Sequence, residues 1–240
     1  MKAPDPIPSG GPSGKDKTGP PMSPVSSAAP GRTGRLPSGL YLILDHGLLA
    51  GRSLTDVALQ AIAGGAECLQ YRAKNLSKRE AYFNALQLRA LTRQNGATFL
   101  VNDWVDLALA VGCDGVHLGQ DDLPLSAARA LLGPDPIIGV SVHTLEQARE
   151  AERGGADYLG IGPVFSSTTK QARPPLGCDA LKTFREQVRI PIVAIGGISR
   201  LNVRQVMATR VDGVAVVSAV LSQPDIQAAT ADLATILKSG

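Results

Sequence analysis

Residues 165–170, Phe-Ser-Ser-Thr-Thr-Lys, gather four hydroxyl groups and one ammonium group directly after an apolar run. That run, residues 158–163, is typical of a buried strand. Hydroxyl and ammonium groups donate hydrogen bonds and the lysine adds positive charge, which together suit a phosphate or diphosphate. A Ser/Thr-rich segment after a strand is also a common solvated turn. The interpretation therefore depends on what the other strand ends carry.

Residues 70–74, Gln-Tyr-Arg-Ala-Lys, follow another apolar run and place an amide and two cations at alternate positions. Because side chains alternate along an extended strand, Gln70, Arg72 and Lys74 point to one side. This group suits an anionic ligand, although a solvated loop rich in Arg and Lys would have the same composition.

Acidic residues follow the next two apolar runs, as Asn102-Asp103 and Asp121-Asp122. Asp103 and Asp122, at neighbouring strand ends, could share one Mg²⁺, which takes one or two carboxylates together with phosphate oxygens and water. Both positions also precede helical patterns, where Asp is a common cap. The sequence leaves metal binding and helix capping open. His117 lies within a strand pattern, and no acid–base partner for it is evident.

The remaining strand ends carry small or polar residues. They are residues 141–143 (Ser-Val-His), 196–198 (Gly-Gly-Ile) and 217–218 (Val-Ser). Glycines and small residues let backbone N–H groups approach a phosphate, although a glycine pair also makes an ordinary tight turn.

These ends belong to eight β-rich runs that alternate with segments of helical periodicity. Eight strands and helices over about 200 residues predict an α/β fold, a (β/α)8 TIM barrel, whose ligand sites lie at the C-terminal strand ends. A doubly wound open sheet is the alternative, but the first run ends in Asp45-His46-Gly47 without a GxGxxG turn. The runs are residues 40–44, 68–71, 98–101, 115–118, 137–140, 158–161, 192–195 and 213–217.

The composition indicates a core built from aliphatic residues. Hydrophobic residues make up 44% of the 240 residues and aromatic residues 4%, as is common where helices cover parallel strands. No window approaches the length of a transmembrane helix. Cys68, Cys113 and Cys178 form no CxxC pair, which argues against a disulfide framework or zinc site and suits a cytoplasmic location.

Residues 1–38 differ from the rest, since they contain nine of the seventeen prolines and hardly any bulky apolar residue. Such a segment cannot bury enough surface to offset its ordering entropy. We therefore predict a disordered tail at residues 1–38 and a catalytic TIM-barrel domain at residues 39–240. The tail carries the whole net charge of +3, so the folded part is near neutral and nucleic-acid binding is not expected.

Taken in order, these motifs resemble those of the thiamine-phosphate synthase family over residues 39–221. Each motif is weak alone, but seven in the same order are specific. The resemblance implies a transferase that joins 4-amino-5-hydroxymethyl-2-methylpyrimidine diphosphate to 4-methyl-5-(2-phosphoethyl)thiazole or its carboxylated form, giving thiamine phosphate and diphosphate. The matching residues are 70–74, 102–103, 117–122, 141–143, 162–165 with 169–170, 196–198 and 217–218.

The resemblance also implies a role for each matched residue. Arg72, Lys74 and Lys170 would be catalytic and stabilise the departing diphosphate, and Asp103 and Asp122 would hold Mg²⁺. The pyrimidine diphosphate would contact Gln70, Tyr71, Arg72, Ala73, Lys74, Asn102, Ser141 and Lys170, and the thiazole phosphate would contact Ser167, Thr168, Thr169, Gly197, Val217 and Ser218.

The chain departs from the family pattern at positions that remove no charged ligand. Ser167 stands where Thr is usual, Leu44 where Thr is common, and Tyr71 where Leu is commoner. The expected chemistry needs no protein nucleophile, which agrees with the absence of an obvious triad or reactive cysteine.

Two alternatives remain. A thiazole tautomerase of the same fold would bind a monophosphate and use a histidine near the position of His143, but it would not need the diphosphate set. A non-catalytic, ligand-sensing barrel would use the tail to contact partners. Diphosphate release on mixing both precursors separates the three. The expected partners are small molecules, without nucleic acid or membrane, and the sequence does not reveal whether the chain is a homo-oligomer.

Overall fold

The computed structural model of the chain describes residues 36–166 and 174–239. Most of the predicted tail lies outside the described residues, and so do Ser167, Thr168, Thr169 and Lys170. What the sequence predicts for those positions stays a prediction.

In the described part of the chain, eight parallel strands close into a barrel in which β8 pairs with β1. The strands are β1 (Gly39–Asp45), β2 (Cys68–Arg72), β3 (Thr98–Asn102), β4 (Gly115–Leu118), β5 (Ile137–Val142), β6 (Tyr158–Ile161), β7 (Ile192–Ile195) and β8 (Gly213–Val216). The predicted (β/α)8 TIM barrel is confirmed. Each predicted run coincides with an observed strand to within about two residues, because β-branched runs between glycine and polar punctuation mark strands well.

Helices cover the outside of the barrel. They are α1 (Leu54–Ala63), α2 (Lys78–Asn95), α3 (Val105–Val111), α4 (Leu125–Leu132), α5 (Leu145–Arg153), α6 (Gly177–Gln187), α7 (Val203–Met207), α8 (Ser218–Leu221) and α9 (Ile226–Lys238). Ser77 and Glu80 form a capping box at the start of α2, which satisfies two backbone donors that the helix leaves unpaired. Among the described residues, no helix is long and apolar enough to cross a membrane.

Side-chain alternation along the strands separates an outer core from an inner one. The outer core packs the helices on the sheet and is mostly Leu, Val, Ile and Ala. The inner core fills the barrel, so the lumen below the strand ends is packed rather than open. Its buried members are Tyr41, Ile43, Cys68, Leu100, Ile137, Tyr158, Val193 and Ala215.

One ion-pair arrangement recurs at the N-terminal strand ends. An aspartate lies directly before each of β4, β6 and β8. Its carboxylate accepts a backbone N–H from the strand that comes earlier in the chain, which is β3, β5 or β7. It also pairs with an arginine of the helix that leads into that earlier strand. Each carboxylate thus receives both a charge partner and a backbone donor, which suits a structural role. The sets are Asp114 with Arg89 (2.9 Å) and Phe99 N (2.8 Å), Asp157 with Arg129 (2.6 Å) and Ile138 N (2.8 Å), and Asp212 with Arg185 (3.0 Å) and Ile192 N (2.8 Å).

Candidate active site

A cavity of about 550 Å³ opens at the C-terminal ends of the strands, the face where TIM barrels place their ligands. Alternation along β2 turns Gln70 and Arg72 into it. Its polar lining side chains are Tyr41, Asp45, Gln70, Arg72, Asn102, His117, Ser141, His143, Tyr158, Ser166, Ser199, Ser218 and Ser222.

Arg72 is held by an ion pair with Asp45, the last residue of β1. The strand register places these two residues side by side. Asp45 Oδ1 also accepts the backbone N–H of Gly47 at 3.0 Å, so the carboxylate is fixed from two sides. Sequence reasoning missed Asp45, although Tyr41, Ile43 and Asp45 share one parity of β1 and therefore face the barrel interior.

Two carboxylates and a lysine meet at the ends of β3 and β4. Lys74 Nζ lies 3.1 Å from Asp103 Oδ2, and Asp122 Oδ2 accepts the backbone N–H of Gly119 at 2.7 Å. Burial and a hydrogen bond with the Asp103 carboxyl raise the pKa of Asp122 above its usual value. Two carboxyls this close repel each other when both are ionised, so a bound cation would relieve the repulsion.

The helix-capping alternative does not hold for these two aspartates. Helix α3 starts after Trp104 and helix α4 starts after Pro124, and neither start has a side-chain cap. Asp103 instead adopts a left-handed backbone conformation with φ of +64°, which costs a non-glycine residue roughly 1 kcal/mol. Its backbone N–H donates to His117 O at 2.8 Å. Strain of this kind persists where the surrounding structure holds a functional side chain in place.

Below the charged rim, five side chains form a hydrogen-bonded chain across the barrel. Gln70 donates to Tyr41, whose hydroxyl lies 3.1 Å from that of Tyr158. Tyr158 contacts His117 Nδ1 at 2.7 Å, and His117 Nε2 lies 2.9 Å from Ser141 Oγ. The sequence showed no partner for His117, whereas the structure gives it one at each ring nitrogen. The sequence could not reveal them because they come from β5 and β6.

The opposite side of the cavity is built from backbone and small residues. Gly197 has a φ of +64°, and a Cβ on it would lie 2.5 Å from Ser166 O, so only glycine fits there. The side-chain amide of Asn202 donates to Gly197 O at 2.9 Å and fixes the turn. Ser218 begins the short helix α8, whose first N–H groups lack intrahelical acceptors and can face an anion.

Five of the described predicted site residues do not line the cavity. Lys74, Asp103 and Asp122 form the separate charged group described above, whereas Tyr71 and Ala73 face away from the site. Tyr71 points into the outer core, where its hydroxyl accepts a hydrogen bond from Asn84 at 3.0 Å. Ala73 is buried in the same core. Their contacts with a ligand would have to come from the backbone. Gln70, Arg72, Asn102, Ser141, Gly197, Val217 and Ser218 line the cavity, and their contacts with substrate stay a prediction.

The chain is similar to known thiamine-phosphate synthases over almost all of the barrel. The family model described as thiamine monophosphate synthase matches residues 40–220. The thiamine-phosphate synthase of Chloroflexus aurantiacus is 51% identical over 82% of this chain and 92% of its own length. That of Methanospirillum hungatei is 52% identical over 83% of this chain and 97% of its own.

A solved structure agrees with these relatives. Thiamine phosphate pyrophosphorylase from Pyrococcus furiosus is 45% identical, with a TM-score of 0.77 over 84% of this chain and 96% of that one. The chain therefore belongs to the thiamine monophosphate synthase family and is a transferase of thiamine biosynthesis.

Proposed function

We propose that this chain joins 4-amino-5-hydroxymethyl-2-methylpyrimidine diphosphate to 4-methyl-5-(2-phosphoethyl)thiazole, or its carboxylated form, and releases diphosphate. One observation carries the proposal. The Asp103 and Asp122 carboxyls lie together beside Lys74, and Arg72 faces the cavity that these strand ends border. A carboxylate pair flanked by cations suits a diphosphate bound with a divalent metal.

The residues fit Mg²⁺ as the metal. Burial and the close Asp103 carboxyl both raise the pKa of Asp122. The carboxyl pair is therefore a place where positive charge is favourable, and oxygen ligands are those that Mg²⁺ prefers. No cluster of three or more His, Cys, Asp or Glu exists in the described part of the chain, so phosphate oxygens and water would complete the coordination. When bound, Mg²⁺ would neutralise the charge that develops on the leaving diphosphate.

With the thiazole phosphate itself, the reaction breaks one C–O bond and forms one C–N bond. With the carboxylated form, a C–C bond also breaks and the carboxylate leaves as carbon dioxide. The bond between the pyrimidine methylene and the diphosphate ionises, and the diphosphate leaves with the bonding electron pair. The thiazole nitrogen then donates its lone pair to the methylene carbon. Arg72, Lys74 and Lys170 would stabilise the departing charge by preorganised electrostatics, and no protein nucleophile takes part.

The thiazole phosphate would bind on the other side of the cavity. Gly197 allows close approach of the backbone, and the first turn of α8 after Val217 offers N–H donors, including that of Ser218. Hydroxyls from residues 167–169 would complete this site. The free thiols of all three cysteines support the cytoplasmic location that we infer for the protein.

Turnover with purified protein tests the proposal. Mixing the two precursors with Mg²⁺ should release diphosphate in step with thiamine phosphate, and omitting either precursor should abolish release. Isomerisation of the carboxylated thiazole without diphosphate release would instead indicate the tautomerase alternative, for which His143 is the candidate base. Binding of either precursor without any product would indicate a ligand-sensing barrel.

A further inference from the structure

The hydrogen-bonded chain from Gln70 to Ser141 is a built feature of the barrel interior. A Cβ at Gly139 would lie 2.1 Å from Tyr158 Cζ, and a Cβ at Gly160 would lie 2.8 Å from His117 Cε1. The barrel thus lacks side chains at the two places where these rings need room. Apolar side chains could fill this space without needing hydrogen-bond partners, whereas a buried polar network must satisfy every polar group. The presence of these polar rings therefore indicates a function.

The order of donors along the first half of the chain follows from Gln70. Its amide nitrogen contacts the Tyr41 hydroxyl, and an amide nitrogen can only donate. Tyr41 therefore accepts from Gln70. Either tyrosine hydroxyl can donate in the 3.1 Å contact between Tyr41 and Tyr158, and we infer that Tyr41 donates because its oxygen already accepts from Gln70. Tyr158 accepts in turn and has its hydrogen left for His117 Nδ1 at 2.7 Å.

The second half of the chain fixes a histidine tautomer. Because His117 Nδ1 accepts from Tyr158, the neutral ring carries its proton on Nε2. That N–H donates to Ser141 Oγ at 2.9 Å. The serine oxygen is thereby used as an acceptor, and its own hydrogen is left to point into the cavity that Ser141 lines.

Burial keeps both tyrosine hydroxyls protonated, as the hydrogen-bonded chain requires. Burial raises the pKa of both Tyr41 and Tyr158 well above the usual tyrosine value, so both hydroxyls keep their hydrogens at working pH. Gln70, Tyr41, Tyr158 and Ser141 then carry no formal charge, unlike the rim formed by Arg72, Lys74 and the two aspartates. Uncharged side chains at the bottom of the cavity suit the uncharged ring of a substrate, whereas the charged rim suits its diphosphate.

We propose that Tyr41, Tyr158 and His117 are positioning residues that make Ser141 a hydrogen-bond donor to an acceptor nitrogen in the substrate ring. The proposal rests on the proposed function, which supplies an aminopyrimidine with such ring nitrogens. A chain running in the opposite sense would leave only serine lone pairs towards the ligand. The direction of the relay therefore selects a ring that accepts at this position over one that carries N–H there.

The tautomer can be measured without any substrate. Long-range ¹H–¹⁵N spectra of the ligand-free, ¹⁵N-labelled full chain should show a pyridine-like Nδ1 and a pyrrole-like Nε2 for His117. His143 is an internal control with the opposite expectation, because its Nδ1 contacts Gly162 O at 2.8 Å and a carbonyl only accepts. His46→Gln and His143→Gln assign the signals. A proton on His117 Nδ1, or on both nitrogens at neutral pH, would overturn the proposal.

A kinetic arm tests the consequence. Tyr158→Phe keeps the ring but removes the hydroxyl, so His117 should populate both tautomers. We expect kcat/KM for the pyrimidine diphosphate to fall roughly three- to tenfold, the worth of one hydrogen bond, with the KM for the thiazole phosphate unchanged. Tyr82→Phe, on α2 and outside the cavity lining, should change neither constant.

The outcomes separate the relay from the function on which it rests. General damage to the fold by Tyr158→Phe would lower the thermal midpoint and impair both substrates alike, which would contradict a positioning role. Unchanged pyrimidine kinetics in that variant would contradict it as well. A wild-type protein without turnover would defeat the proposed function, while the histidine spectra would still decide the direction of the relay.

Discussion

The aspartates before β4, β6 and β8 differ from the Asp103–Asp122 pair at the opposite end of the barrel. At the N-terminal face, Asp114 receives an arginine and a backbone N–H, and the same arrangement recurs at Asp157 and Asp212. At the C-terminal face, Asp103 pairs with Lys74 and Asp122 accepts a backbone N–H, but the two carboxyls also lie against each other. Burial, together with the hydrogen bond to the Asp103 carboxyl, raises the pKa of Asp122. A carboxylate that pairs with an arginine and a backbone N–H inside the protein stabilises the fold. Two carboxylates that repel each other can instead be stabilised by a bound cation.

This contrast predicts that mutations at the two faces separate activity from stability. Substitutions at the C-terminal face should lower turnover far more than stability. Substitutions at the N-terminal face should change stability and spare the turnover of folded molecules.

The largest effect is expected for Arg72→Ala. Its guanidinium faces the cavity and is placed to stabilise the leaving diphosphate, so its loss should lower kcat by about 10²–10³-fold. Arg79→Ala on the exposed surface of α2 is the control and should turn over like the wild type. Steady-state kinetics measures both variants. A kcat of Arg72→Ala within twofold of the wild-type value would contradict the expected difference between the two faces.

The matching change at the N-terminal face is Arg89→Ala. It leaves the Asp114 side chain, which is 5% exposed, without its charge partner, and we expect a loss of roughly 3 kcal/mol in the free energy of unfolding. Lys78→Ala breaks the exposed pair with Asp106 and should cost less than about 1 kcal/mol. Urea denaturation compares them. Equal losses, or a large loss of kcat in folded Arg89→Ala protein, would contradict a purely structural role.

A third pair of variants tests the backbone side of the cavity. Gly197 and Gly112 both have positive φ, +64° and +62°, but a Cβ would clash at Gly197 and meet nothing within 4 Å at Gly112. Alanine should strain both backbones by roughly 1 kcal/mol. Only Gly197→Ala should also raise the KM for the thiazole phosphate, by roughly tenfold, the worth of one hydrogen bond to a charged group. The same KM in both variants would remove Gly197 from the phosphate site.

The smallest effect concerns Asp122→Asn in the absence of Mg²⁺. Because the folded-state pKa of Asp122 is raised, the ionised carboxyl destabilises the protein above that pKa, and the penalty disappears as the pH falls below the unfolded value of about 3.9. The variant should be slightly more stable than wild type at neutral pH, by a few tenths of a kcal/mol after solvent screening. At about pH 3 the advantage should vanish.

Thermal denaturation in chelator measures this difference. Asp121→Asn, at the exposed neighbouring position, should show no such gain. An Asp122→Asn protein less stable than wild type at neutral pH would show that the carboxylate is satisfied by the fold and would erase the contrast between the two faces.

The sequence predicted the barrel and most of the rim because both depend on local signals. Strand runs are bounded by glycine and polar residues, and residues at strand ends such as Asp103 and Arg72 lie at the same face once the barrel is assumed. Alternation along β2 correctly turned Gln70 and Arg72 inward.

What the sequence did not predict depends on contacts between distant strands. Tyr41, His117 and Tyr158 lie inside strands, where a polar ring is indistinguishable from a core residue until the barrel closes. Asp45 was readable from its parity with Tyr41 and Ile43 but carried no motif. The motif of residues 70–74 likewise did not show that the Tyr71 side chain packs against α2, while its neighbours Gln70 and Arg72 face the cavity.

The central claim is that Asp103 and Asp122 share one Mg²⁺ needed for turnover. The most direct test titrates Mg²⁺ against turnover in the wild type, Asp103→Asn, Asp122→Asn, the double variant and the control Asp121→Asn. Each site variant should need more Mg²⁺ for half-maximal rate because an amide lacks the charge that holds a hard cation. The double variant should lose less than the sum of the two single losses, and Asp121→Asn should match wild type. An identical half-saturating Mg²⁺ concentration in all five proteins would contradict the metal site and the diphosphate site built on it.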